Sequence, residues 1–147
     1  MHHDSARSER PDGESTSDLL MMAARSMRRS FGEVMAEYEV TPSQARALRV
    51  VAELEPVRLS VLAERLRIAA RSATEVVDAL EARSLVARQP DPADRRATSV
   101  VQTEAGARLR AVLDEARRTA TEQRLSVLSE QDRAELTRIL RLVVNQE

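Results

Sequence analysis

The sequence predicts a mainly α-helical fold carrying one small β-hairpin. Three observations predict it. Apolar residues recur at helical spacing along most of the chain. Two short helical segments, about Ser60–Leu66 and Ala70–Arg83, stand back to back across the turn Arg67-Ile68-Ala69-Ala70. Directly after them, the stretch LVARQPDPADRRATSVVQTEAG holds two β-like runs, Leu85–Arg88 and Ala97–Gln102, around the loop Gln89–Arg96. Most hairpin loops have about two to five residues. This one is longer, carries two prolines and two aspartates, and ends in Arg95-Arg96. An arginine-tipped hairpin suits a body that reaches toward something anionic. The order helix, helix, arginine-tipped hairpin is that of a winged helix-turn-helix.

Each element has its own signals. Residues 1–16 are polar, charged and serine-rich and read as a disordered tail; residues 17–147 read as a single domain. Ser17 is the expected cap of a first helix, Asp18–Tyr38, whose apolar positions are Leu20, Ala24, Met27, Phe31, Val34 or Met35, and Tyr38. Thr41-Pro42-Ser43-Gln44 combines a threonine cap, a first-turn proline and a glutamine three residues after the cap. It starts a second helix that runs to about Leu54 and buries Ala45, Leu48 and Val51 or Ala52. Pro56 ends it, and Val57–Leu59 reads as a very short strand. The third helix holds Leu62, Ala63 and Leu66. The fourth buries Ala73, Val76, Val77 and Leu80 and turns Arg71, Thr74, Glu75 and Asp78 outward. Thr103 starts a long fifth helix through Leu109, Leu113 and Ala120, and Ser129 caps a sixth with the stripe Leu136, Ile139, Leu140, Val143 and Val144. The first, fifth and sixth helices are apolar on one face and lie at opposite ends of the chain. Their stripes are expected to pair with a second copy in a homodimer, residues 17–40 and 103–147 forming the dimerisation helices around a 41–102 lobe.

Composition excludes several classes of function. The 147 residues contain no cysteine, so no disulfide or thiolate switch is available. The two histidines, His2 and His3, lie in the tail, which leaves no His-based metal site or Ser-His-Asp triad in the body. No nucleophile–base pair or phosphate loop is visible, and neither an enzyme nor a cofactor is expected. No run of 18 apolar residues suggests a membrane span and no apolar leader suggests export, which points to the cytoplasm. All 23 basic residues are arginine. The net charge is −1, but residues 58–96 carry eight arginines against six acids and are the one net-positive region. A local basic face, rather than a basic protein, is what a nucleic-acid contact needs.

At these residues the chain resembles the MarR/SlyA family of winged-helix transcription regulators. The resemblance covers about residues 18–145 and rests on Leu62-Ala63-Glu64-Arg65-Leu66, Asp78-Ala79-Leu80-Glu81, Leu85-Val86-Ala87-Arg88, Asp94-Arg95-Arg96-Ala97, Thr103-Glu104-Ala105-Gly106 and Leu128-Ser129-Glu130. The Asp-Arg-Arg wing followed by Thr-x-x-Gly is its most specific part. It implies a DNA-binding dimer whose two fourth helices enter successive major grooves of a pseudo-palindromic operator while the wings reach the flanking minor grooves. It implies further a repressor relieved by a small aromatic or phenolic ligand, bound between the DNA lobe and the dimerisation helices. The chain departs from the pattern at Ala69, where a small hydroxyl residue is usual, at Ser84 in place of glycine, and at Gln102 in place of leucine. These departures keep a second reading open, a ligand-binding helical dimer with weakened or lost DNA binding.

The candidate DNA-binding residues are Arg71, Ser72, Thr74 and Glu75 on the fourth helix and Asp94, Arg95 and Arg96 on the wing. Arg71 suits bidentate contact with guanine, and Glu75 can accept from cytosine or be an exposed helix acid. Arg95 suits the wing tip in a narrow minor groove; Arg96 is a phosphate contact or a brace pairing with Asp94 or Asp91. The candidate ligand-binding residues are Met27, Phe31, Met35, Tyr38 and Arg49, with Arg46 as a further counter-charge. For Phe31 and Tyr38 the plain alternative is core or dimer packing. The pairs Arg28-Arg29 and Arg117-Arg118 read as solvated helix faces.

Overall fold

A computed structural model describes residues 13–146. The elements follow in the order α1 (Thr16–Glu37), α2 (Pro42–Leu54), β1 (Val57–Arg58), α3 (Leu59–Leu66), α4 (Ala70–Ala82), β2 (Val86–Pro90), β3 (Thr98–Gln102), α5 (Glu104–Leu125) and α6 (Glu130–Val144). Six helices and a three-stranded sheet make up the expected winged helix-turn-helix. Most of the expected tail lies outside the described residues, and its end differs from expectation. Ser15, not Ser17, caps α1, because Asp18 stands three residues after Ser15 and closes a reciprocal capping box with it. The Thr41–Gln44 box at α2 forms as expected, with both reciprocal bonds at 3.1 Å. Ser129 and Thr103 likewise cap α6 and α5 through their hydroxyls.

The core lies beneath α2, α3 and α4 and is aliphatic. Leu48, Val51, Leu62, Val77, Leu80, Val86 and Val100 are buried in one cluster. On α2, Ala47 takes the buried place expected of Ala45; on α4, Val76 is only half-buried. The sheet order is β1-β3-β2, antiparallel throughout, with Arg58 opposite Ser99 on one side of β3 and Gln89 opposite Ser99 on the other. Pro90 ends β2, an edge strand, where its missing N–H removes no interior ladder bond. The wing loop is therefore 91–97, slightly shorter than expected.

The hinge between α4 and the wing explains the Thr-x-x-Gly motif. Thr103 Oγ1 accepts from the Gly106 N–H at 3.0 Å and donates to the Ser84 carbonyl at 2.6 Å, while the Thr103 N–H donates to the Leu85 carbonyl. Gly106 lies so close to the Leu85 carbonyl oxygen that a Cβ would stand 2.0 Å from it. Ser84 adopts φ 58°, in the left-handed region that glycine tolerates best, so its departure from the family's glycine carries strain.

The terminal helices differ from the core. No residue of α1 or α6 is buried. Leu19, Leu20, Met21 and Met22 on α1, Val112 on α5, and Ile139, Leu140, Leu142, Val143 and Val144 on α6 are all exposed. Among the described residues no helix is long and apolar enough to cross a membrane.

Candidate nucleic-acid interface

Helix α4 packs Ala73, Val77 and Leu80 inward, which exposes Arg71, Thr74 and Glu75. Ser72 is half-buried and stands off that outer row. The Arg71 side chain is 90% exposed and pairs with Glu75 at 3.4 Å, one turn along. An exposed pair of this kind contributes well under about 1 kcal/mol, so Arg71 is free to exchange Glu75 for a stronger acceptor. Thr74 Oγ1 donates back to the Ala70 carbonyl at 3.1 Å. Ala69, the N-cap, supplies no side-chain hydrogen bond. The N–H groups of the first turn thus lack a protein side-chain acceptor, and they point where a phosphate oxygen would serve.

The wing is stiffened by a single buried acid, Asp91. Its carboxylate accepts from Arg58 Nε and Nη2, both at 3.1 Å, from Ser99 Oγ at 2.6 Å, and from the Ala93 and Asp94 N–H groups. These donors, the Arg58 guanidinium above all, hold its pKa far below the usual carboxylate range, and the pairing raises the pKa of Arg58 in turn. Asp94 accepts from the Arg96 N–H at 3.0 Å and, through its carbonyl, from the Ala97 N–H. Its carboxylate is therefore spent inside the loop. The expected brace from the Arg96 guanidinium to Asp94 or Asp91 is absent; Arg58 on β1 takes that role. The two-residue strand carries no periodicity of its own, so its partner across β3 had no sequence signal. Arg95 and Arg96 are exposed and form no ion pair among the described residues. Arg88 on β2 ties the wing to α4, through Asp78 at 2.6 Å and Glu81 at 3.2 Å. Asp78 is thereby removed from the free outer face of α4. Arg88 thereby joins the wing directly to α4.

The candidate ligand residues divide. Phe31, Met35 and Arg49 line a cleft of about 330 Å³ between α1, α2 and α5, joined by Arg28, Arg46 and Arg117. Met27 does not line it. Tyr38 belongs instead to a separate cleft of about 600 Å³ between α1 and α5, with Val34 and Val112. Seven residues is nearly two turns, yet the two rings line different clefts, and Tyr38 is the C-cap, just past the end of α1. Arg28 and Arg117 are not mere solvated faces: Arg28 lines the cleft, and the Arg117 guanidinium lies 4.5 Å from the Phe31 ring centroid. Among the described residues no group of His, Cys, Asp and Glu is placed to hold a metal ion.

Comparison with known proteins places this architecture. Residues 40–98, which span α2 through the wing loop, match the model of the MarR family. That match covers less than half of the chain and marks a likeness to the MarR family. YsmB of Bacillus subtilis, described as an uncharacterised HTH-type transcriptional regulator, is 31% identical over 68 residues, 46% of this chain and 47% of YsmB. The match thus spans about half the length of that curated relative. A MarR family protein from Bacillus stearothermophilus superposes with a TM-score of 0.77 at 25% identity, over 88% of this chain and 91% of the other. A variant of Staphylococcus aureus MepR bound to an oligodeoxyribonucleotide shares the fold, with a TM-score of 0.73 at 18% identity, over 90% and 97% of the two chains. Within the MarR fold, α3 and α4 are the helix-turn-helix and the 91–97 loop is the wing tip.

Proposed function

We propose that this chain is a MarR-family, sequence-specific, double-stranded-DNA-binding transcription regulator that acts as a homodimer. One observation carries the proposal. Two arginines without acid partners, Arg95 and Arg96, stand on a loop braced by Arg58–Asp91 and locked by Arg88 to the helix that exposes Arg71. Rigid, cationic and outward-facing, that body suits a polyanion. The oligodeoxyribonucleotide bound to the MepR variant supports DNA as the partner.

In this reading the 41–102 lobe meets DNA and the helices at 17–40 and 103–147 hold two copies together. Phosphates accept from the uncapped first turn of α4; Arg71, with Thr74 beside it, reads base edges; Arg95 enters the minor groove. Ser72 and Glu75 are flanking contacts, Asp94 shapes the loop, and Arg96 meets phosphate. A small aromatic ligand in the Phe31–Met35–Arg49 cleft favours a dimer whose α4 helices no longer match half-sites roughly 34–36 Å apart. Operator affinity then falls, which makes the protein a repressor relieved by its ligand.

Base-substitution scanning of a bound operator tests the reading. Arg71→Ala is expected to relax preference at one guanine, by roughly 1–3 kcal/mol, and to leave the other positions unchanged. Base preference identical to the wild type would remove Arg71 from the site. Weak binding to every duplex, independent of salt, would favour a ligand-binding dimer whose DNA lobe has decayed.

A further inference from the structure

We infer that Arg83 is a positioning residue for DNA recognition: its guanidinium ties the end of α4 to the end of α1 and so sets how far apart two α4 helices stand in a dimer. The inference rests on the dimeric, DNA-binding reading above and names the residue that fixes its half-site spacing. Arg83 is the C-cap of α4. Its Nη1 donates to the Glu39 carbonyl at 2.8 Å and its Nη2 to the Tyr38 carbonyl at 3.1 Å. Tyr38 is the C-cap of α1, and Glu39 follows it in the left-handed region at φ 55°. The Glu39 N–H donates to the Ala36 carbonyl and the Val40 N–H to the Met35 carbonyl, which closes α1 in a Schellman turn over the buried Val40. α4 ends in the same way. Ser84 follows Arg83 at φ 58°, its N–H donates to the Glu81 carbonyl, and the N–H of the buried Leu85 donates to the Leu80 carbonyl. The guanidinium therefore lies between two helix C-termini, the negative ends of both peptide dipoles. Two charge-assisted bonds to adjacent carbonyls fix direction as well as distance.

α4 is held within its lobe by the buried Ala73, Val77 and Leu80. α1 buries no residue. The Arg83 fork thus bears on how α1 and the lobe are set against one another. In the proposed dimer α1 belongs to the helices that join the copies, while α4 meets the duplex. The fork spans that joint. Arg71 stands twelve residues before Arg83 on α4, about 18 Å along the axis. A swing of the lobe by about 5° about the joint moves Arg71 by about 1.6 Å. Between the two copies the change is about 3 Å, close to the rise of one base pair, about 3.4 Å. A small loosening of the joint is enough to blur half-site spacing by one base pair.

The test uses the full-length protein and a duplex that the wild type selects from a random pool, remade with its central spacer one base pair longer and one shorter. The wild type is expected to prefer the selected spacing by about tenfold over either neighbour. Arg83→Gln is expected to cut that preference to about threefold or less. Its salt slope is expected to match the wild type, because the guanidinium meets carbonyls and not phosphate. A second measurement needs no DNA. The chain has no cysteine, so Glu75→Cys places a single spin label on α4 of each copy. The label-to-label distance is expected to be narrowly distributed, and to broaden severalfold when Arg83→Gln is added. Arg83→Lys retains the charge without the fork; it is expected to fall between the two and serves the comparison should the glutamine variant fail to fold. An unchanged spacing preference, or an unchanged distance distribution, overturns the assignment. A wild type that selects no duplex overturns the DNA-binding reading, while the label distance still decides whether Arg83 sets the joint. Absence of any label pair in the wild type overturns the dimer and this inference together.

Discussion

Arg95 and Asp91 lie four residues apart in the wing and do opposite work. Arg95 is exposed, and in the proposed interface its contribution appears only when DNA arrives. Arg95→Ala is expected to leave thermal stability unchanged, to weaken DNA binding, and to lower the salt slope of log affinity by about one. Equal slopes for the two proteins would exclude Arg95 from the interface. Asp91 is buried under five donated hydrogen bonds, and its contribution is to loop order. Asp91→Asn is expected to speed hydrogen exchange at Ala93 and Asp94 and to reduce DNA affinity, with helix content unchanged by circular dichroism. The pH dependence follows from the sign of the shift. A carboxylate held below its ordinary value stabilises the fold fully above the unfolded range, about pH 4, and loses that effect as pH falls further. The stability difference between wild type and Asp91→Asn should therefore be constant at neutral pH and shrink on acidification; a difference that grows toward low pH would contradict the assignment.

At the scale of elements, the junction of α4, wing and α5 decides whether the lobe is one body. Alanine within a helix ordinarily gains about 0.5–1 kcal/mol over glycine. At Gly106 the Cβ would meet the Leu85 carbonyl oxygen at 2.0 Å, and backbone must move. Gly106→Ala is expected to destabilise by more than about 2 kcal/mol in denaturant melts; a stabilised variant would show the contact to be soft. Ser84→Gly is expected to gain up to about 1 kcal/mol, because relief of the left-handed conformation outweighs glycine's extra chain entropy. The caps at Thr41, Thr103 and Ser129 were legible in the sequence because each is closed by residues three positions away. Ser15 caps α1 in place of Ser17, and Asp18 at the capping-box spacing from Ser15 is the signal for it. The brace from Arg58 to Asp91 spans 33 residues and depends on strand pairing, which no local pattern specifies. The split between Phe31 and Tyr38 falls where α1 ends, since Tyr38 is its C-cap. Helical spacing placed both rings on one face but not against the same neighbour.

For the whole molecule, the aliphatic core accounts for the central lobe alone. The terminal helices leave a run of apolar side chains in water, from Leu19–Met22 on α1 to Ile139–Val144 on α6. Such a surface is stable in solution when it is covered. In the proposed dimer, Ile139→Asp combined with Val143→Asp should shift sedimentation toward the monomer and weaken operator binding together, since each lobe alone touches one half-site. Sedimentation of the protein with a duplex from its own upstream region is the most direct measurement of the central claim. Two chains per duplex, with binding that weakens steeply as salt rises, is the predicted result; one chain per duplex, or no complex at low salt, would contradict it.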